Sequence, residues 1–151
     1  MMKRPQPSRP YMTAPIQFEE DIFRPVLLRL EHEAHSLHQI RRFRGGGIEG
    51  WFKVEVVAAL ASLVQRVCNN GPDLLLTDGT RVELKAGCGL DAAYIRKGAL
   101  THGVPCLFLG YGGNLALLDQ SDVELMYSSE FTDGHDNWVV GLIRPRGRSP
   151  A

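Results

Sequence analysis

The tightest constraint in this sequence is a single dipeptide. Asp78-Gly79 stands between DLLLT and TRVELKA, two short runs of strand-forming residues, and such a pair is a strong local signal for a β-hairpin. Two adjacent antiparallel strands are therefore expected, and their register decides which side chains meet. A two-residue turn would set Thr77 opposite Thr80 and Leu74 opposite Glu83, turning Asp73 to the wrong face. A three-residue loop of Thr77, Asp78 and Gly79, closed by a bulge at a left-handed glycine, sets Leu76 opposite Thr80 and Asp73 opposite Glu83. Gly79 accepts a positive φ and Asp78 suits the turn, so the second register is expected. A bulge nearer Asp73 would be another route to the same face.

Around this hairpin the apolar periodicity alternates between helix and strand. Val26, Leu27, Leu30, Ala34, Leu37 and Ile40 recur at helical spacing from Pro25 to about Phe43, ahead of Gly45, Gly46 and Gly47. Phe52, Val56, Leu60, Leu63 and Val67 predict a second, mostly buried helix over Trp51 to Cys68, broken by Asn69-Asn70-Gly71-Pro72. Asp91 is a candidate N-cap for a helix reaching Thr101 or His102, with Gly103 as its stop and Pro105 beyond. Val104 to Tyr111 is almost continuously apolar and predicts a buried strand after a crossover helix. Gly112-Gly113-Asn114 turns the chain into LALLD, and VELMYS and NWVVGLI predict peripheral strands.

The 151 residues carry 17 basic against 17 acidic side chains, an ordinary composition for one globular domain. A polybasic nucleic-acid arm is disfavoured, although a local basic face is compatible with zero net charge. Cys68, Cys88 and Cys106 are odd in number and widely spaced, which suggests neither a disulfide framework nor a zinc knuckle. No apolar run approaches the roughly 20 residues of a membrane span, and Met1 to Pro15 has no apolar signal core. A cytoplasmic protein with no membrane partner is the expectation. Residues 1–15, with four prolines, and 144–151 read as flexible tails around a single domain over 16–143.

Alternation along TRVELKA places Val82 and Leu84 on one face and Arg81, Glu83 and Lys85 on the other. With Asp73 alongside, two carboxylates could hold a hard divalent ion while Lys85 orients a water and offsets phosphate charge. At Pro72-Asp73 and Glu83-Leu84-Lys85 the chain resembles the PD-(D/E)XK nuclease superfamily, which includes restriction enzymes, junction resolvases and RecB-type nuclease domains. The resemblance spans about Gly50 to Tyr111. It implies an α/β fold with a restriction-endonuclease-like core, a mixed sheet flanked by helices in the order helix, antiparallel meander, helix, strand. An extra N-terminal helix and C-terminal strands would surround that core.

That family often carries a metal-linked Glu in its first helix. Glu55, embedded in VEVVAALASLV, is favoured for this role over Glu49, which lies beside Gly50 near the helix start. The resemblance thus implies Mg²⁺, with Mn²⁺ as substitute, held by Asp73, Glu83 and the Leu84 carbonyl with help from Glu55. Lys85 would position the attacking water. The implied activity is hydrolysis of phosphodiester bonds in DNA, with a homodimer as a possible assembly. A non-catalytic nucleic-acid-binding or assembly module on the same fold is the alternative. In the helix after Lys85, Tyr94, Arg96 and Lys97 fall where many such nucleases place a basic residue near the scissile phosphate, with Lys97 and Tyr94 on one face. Arg41, Arg42 and Arg44 could contact phosphate or complement the helix dipole. His32, His35 and His38 recur every three residues, but no Cys or carboxylate pattern in the sequence completes a metal set, so a solvated helix face is expected.

Overall fold

The computed structural model describes residues 15–43 and 47–147. It is an α/β structure in which a six-stranded mixed sheet lies between two helical layers. The first helical stretch begins as a wide-turned segment, Phe18–Phe23, and runs directly into α1, Arg24–His32. A break at Glu33 separates α2, Ala34–Phe43, so the helix expected from Pro25 starts earlier and is divided. α3 spans Ile48–Ala59 and is followed by the strands β1, Val64–Val67, β2, Leu74–Leu76, and β3, Arg81–Ala86. α4, Ala92–His102, crosses to β4, Cys106–Gly110, and a short 3₁₀ turn, Leu115–Leu118, leads to β5, Val123–Thr132, and β6, Asn137–Pro145.

The expectation of one helix over Trp51 to Cys68 is corrected. α3 stops at Ala59, and Val64–Val67 turns back as an edge strand, with Val64 opposite Leu76 and Val67 opposite Leu74. Leu60, Leu63 and Val67 mimic a helical stripe, but β-branched Val64 and Val67 gain a ladder only by pairing with β2. Tertiary pairing overrides the local period. The strand order is β1-β2-β3-β4-β6-β5, with β3 and β4 parallel and every other pair antiparallel. β6 is therefore interior and almost wholly buried, which corrects its assignment as peripheral. It also runs to Pro145, where Arg144 bonds Glu124 and Arg146 bonds Asp119, so residues 144–147 are tied to the sheet. Residues 1–14 and 148–151 of the expected tails lie outside the described residues, as does Arg44.

Each sheet face has its own core. Leu74, Leu76, Val82, Leu84, Leu107, Leu109, Val140 and Leu142 meet residues of α1 to α3, including Leu30, Leu37, Phe52 and Val56. Cys106, Phe108, Val139 and Ile143 meet Ile95 and Ala99 of α4. Alternate residues of β4 enter the two cores, which is why its sequence is continuously apolar. Asp91 caps α4 by accepting from Tyr94 N–H at 3.1 Å, and left-handed Gly103 ends it, both as expected.

Candidate active site

Register brings Asp73 and Glu83 together. Leu74 pairs with Val82 and Leu75 with Arg81, and one further step along the ladder sets Asp73 opposite Glu83. The three-residue loop produces this register: Gly79 N–H donates to Leu76 O at 3.0 Å, Leu76 N–H donates to Thr80 O at 2.8 Å, and Gly79 has φ 90°. Asp78 Oδ1 accepts from Thr80 N–H at 2.8 Å and fixes the turn.

The main chain adds to the site. Glu83 N–H bonds Pro105 O at 2.9 Å on the β4 side, so the next N–H, that of Leu84, points toward the end of β2. There Asp73 Oδ2 accepts it at 2.9 Å, with Glu83 Oε1 3.3 Å from the same nitrogen. A strand residue directs its N–H and C=O to the same edge, so the Leu84 carbonyl turns to this side too. Lys85 follows on the Glu83 face, where its ammonium lies 4.5 Å from the centre of the Tyr94 ring and donates to Tyr94 Oη at 3.4 Å. Tyr94 Oη donates in turn to Glu49 Oε2 at 2.8 Å. Lys53 Nζ sits 3.0 Å from Asp73 Oδ1 and 3.9 Å from Glu49 Oε1. Beside this network is a cleft of about 210 Å³ between Glu83 and Lys85 on β3 and Tyr94, Lys97, Thr101 and His102 on α4.

The two carboxylates differ in acidity. Burial, the hydrogen bond with Asp73 and the Asp73 charge push the Glu83 carboxyl up to about 7. Burial acts on Asp73 as well, but the bonds from Glu83, Leu84 N–H and Lys53 outweigh it and hold Asp73 below its ordinary value. Between the ordinary carboxylate range and about 7, Glu83 is therefore the member of the pair that holds a proton. For Lys85, burial is outweighed by its bond to Tyr94 and by nearby Glu83 and Glu49, so it stays an ammonium. It can donate to a water or a phosphate oxygen but cannot abstract a proton. Two carboxylates and a carbonyl make an all-oxygen donor set, suited to a hard cation such as Mg²⁺.

Asp73, Glu83, Lys85 and Tyr94 converge as the sequence suggested, and Lys97 is an exposed residue of the same cleft. Glu55 does not join them. A helix turns about 100° per residue, so Glu49 and Lys53 share a face of α3 while Glu55 points elsewhere. Buried Glu55 accepts from Arg29 Nε of α1 at 2.6 Å, a helix-to-helix ion pair. Arg41 is bonded to Asp136 and lies 4.2 Å over the Tyr111 ring, and Arg96 is paired with Asp122. Arg42 is exposed on α2.

Sequence reasoning missed Lys53, His102, whose Nε2 is 3.9 Å from Glu83 Oε2, and Gly98. A Cβ on Gly98 would stand 2.9 Å from Lys85 Cγ, so the glycine lets α4 lie against the lysine stem. The i, i+4 pair Glu49 and Lys53 was the available signal for the α3 contribution. No family model, curated protein or solved structure matches the chain.

Proposed function

We propose that this chain is a Mg²⁺-dependent phosphodiesterase of the PD-(D/E)XK type acting on DNA. The observation that carries the reading is the pairing of Asp73 with Glu83 on one sheet face at the Leu84 N–H, with the Lys85 ammonium two residues on. The order of α3, the antiparallel strands β1 to β3, α4 and the parallel strand β4 supports it, because it is the order that the motif resemblance implies. Asp73, Glu83 and the Leu84 carbonyl would hold the ion, and Mn²⁺ would substitute. When bound, the ion supplies charge stabilisation at the phosphate and the leaving oxygen. Lys85 holds the attacking water and a phosphate oxygen by donating to them. Glu49, in place of Glu55, is the α3 carboxylate of the site and fixes Tyr94, which keeps Lys85 in position. Lys97 contacts the phosphate backbone from the cleft rim.

A second reading rests on Lys53. Its ammonium already neutralises Asp73 at 3.0 Å, an arrangement suited to a module that binds nucleic acid or a partner without cleaving.

One experiment separates the two. The full chain is incubated with duplex, single-stranded and branched DNA with Mg²⁺ or Mn²⁺, alongside Asp73→Ala, Glu83→Ala and Lys85→Ala. The nuclease reading expects cleavage that a chelator abolishes and all three substitutions remove, with Mn²⁺ binding retained in Lys85→Ala by calorimetry. A folded chain that binds DNA but cleaves none of these substrates with either metal leaves the binding module.

A further inference from the structure

His38 lies away from the β2–β3 end of the sheet, on α2, and faces the hairpin loop that joins β5 to β6. That loop reads Asp133-Gly134-His135-Asp136. Asp133 is 8% exposed and organises it, with Oδ1 accepting from His135 N–H at 2.8 Å and Asp136 N–H at 2.7 Å while Oδ2 accepts from Trp138 Nε1 at 2.9 Å. The His38 ring is stacked on His135, with centroids 3.7 Å apart. Its Nδ1 is buried without a hydrogen-bond partner, although such an atom is costly to leave unsatisfied.

We propose that His38, Asp133 and Asp136 form a second metal site, for a borderline divalent transition ion of the Zn²⁺ class, which clamps α2 to the β5–β6 hairpin. One ligand atom from each residue falls within 4.8 Å of the other two. His38 Nδ1 is 3.9 Å from Asp133 Oδ2, too far for a hydrogen bond. A tetrahedral Zn²⁺ sets its nitrogen and oxygen ligands about 3.4 Å apart, so the imidazole and the carboxylate need to close by only about half an ångström to share one ion. An imidazole nitrogen with two carboxylates suits Zn²⁺ better than the all-oxygen preference of Mg²⁺. The surroundings are those that steady metal ligands: Trp138 Nε1 holds Asp133 and the Arg41 guanidinium holds Asp136. The orphaned Nδ1 gains a partner, and the single negative charge left by two carboxylates and Arg41 attracts the cation. His135 stacks on the His38 ring, and water would complete the coordination.

The test uses the full chain carrying Asp73→Asn and Glu83→Gln, so that the β2–β3 carboxylates contribute no ion binding. Zn²⁺ is titrated by calorimetry near neutral pH, and the imidazole nitrogen resonances are followed by NMR. The expected result is one bound equivalent, a shift of the His38 Nδ1 resonance, a higher unfolding temperature with Zn²⁺, and affinity reduced roughly tenfold or more by His38→Gln or Asp136→Asn. Asp136→Asn is isosteric and keeps the test open if His38→Gln does not fold. Absence of Zn²⁺ binding, an unmoved His38 resonance, or affinity unchanged in either folded variant overturns the site. No readout depends on DNA cleavage.

Discussion

At the scale of single residues, Glu83 ties folding to pH. Its carboxyl is raised from 4.5 to about 7, so the folded chain binds a proton there that the unfolded chain has released over that window. Its contribution to stability is fully present below about 4.5 and is lost as pH rises through about 7. Asp73 acts oppositely: held below its ordinary value of 3.8, it contributes stability that is lost as the solution becomes strongly acid. Thermal unfolding without metal should therefore show a falling unfolding temperature from mildly acid to mildly basic pH, and Glu83→Gln should flatten that fall. An unchanged slope in the variant would show that the Glu83 carboxyl is not raised in the folded chain. The two helix carboxylates make a second comparison. On the proposed nuclease reading, Glu49→Gln should cut cleavage at least tenfold while leaving unfolding nearly unchanged, because Glu49 holds Tyr94, which in turn holds Lys85. Glu55→Gln should lower the unfolding temperature and leave the cleavage rate of the folded protein intact, because Glu55 partners Arg29. Paired cleavage and melting measurements decide the assignment, and the reverse pattern would return the role to Glu55.

At the scale of elements, the site depends on how closely α4 lies against β3. Gly98 sits over the Lys85 stem, where an added Cβ would come 2.9 Å from Lys85 Cγ and 3.3 Å from Cys106 Sγ. Gly98→Ala should force helix and lysine apart, costing about 1–3 kcal/mol of stability by overpacking. If the chain is the proposed nuclease, it should also lower the cleavage rate more than DNA affinity, since Lys85 would then hold the attacking water. Chemical denaturation and single-turnover cleavage measure the two effects, and an alanine variant with native turnover would show that Lys85 needs no support from α4.

At the scale of the whole molecule, 17 basic and 17 acidic side chains balance, so any DNA contact must come from a local basic surface. On the proposed reading, DNA binding should weaken with salt, and Lys97→Ala should reduce that dependence by roughly one counterion. Arg41→Ala should leave the slope unchanged, because Arg41 is engaged with Asp136 and Tyr111; affinities measured across salt concentrations test both. Local sequence was sufficient wherever the deciding interaction spans only a few residues. The Gly79 bulge fixed the Asp73–Glu83 register, Asp91 and Gly103 bounded α4, and the alternation of Glu83 and Lys85 placed both on one face. The apolar run into β4 likewise foretold burial on both sides. Where partners lie far apart in sequence, local pattern misled. Val64 to Val67 continues a helical stripe and becomes a strand because β2 offers it a ladder. Glu55 looked like the site carboxylate because it is isolated among apolar residues, yet Arg29 of α1 satisfies its charge. His38 lacked ligand neighbours along its helix, and the hairpin loop brings Asp133 and Asp136 to it. Hydrogen-bond geometry within a turn is written in adjacent residues, whereas the partner of a buried charge is chosen by whichever element packs against it, and that choice belongs to the folded chain.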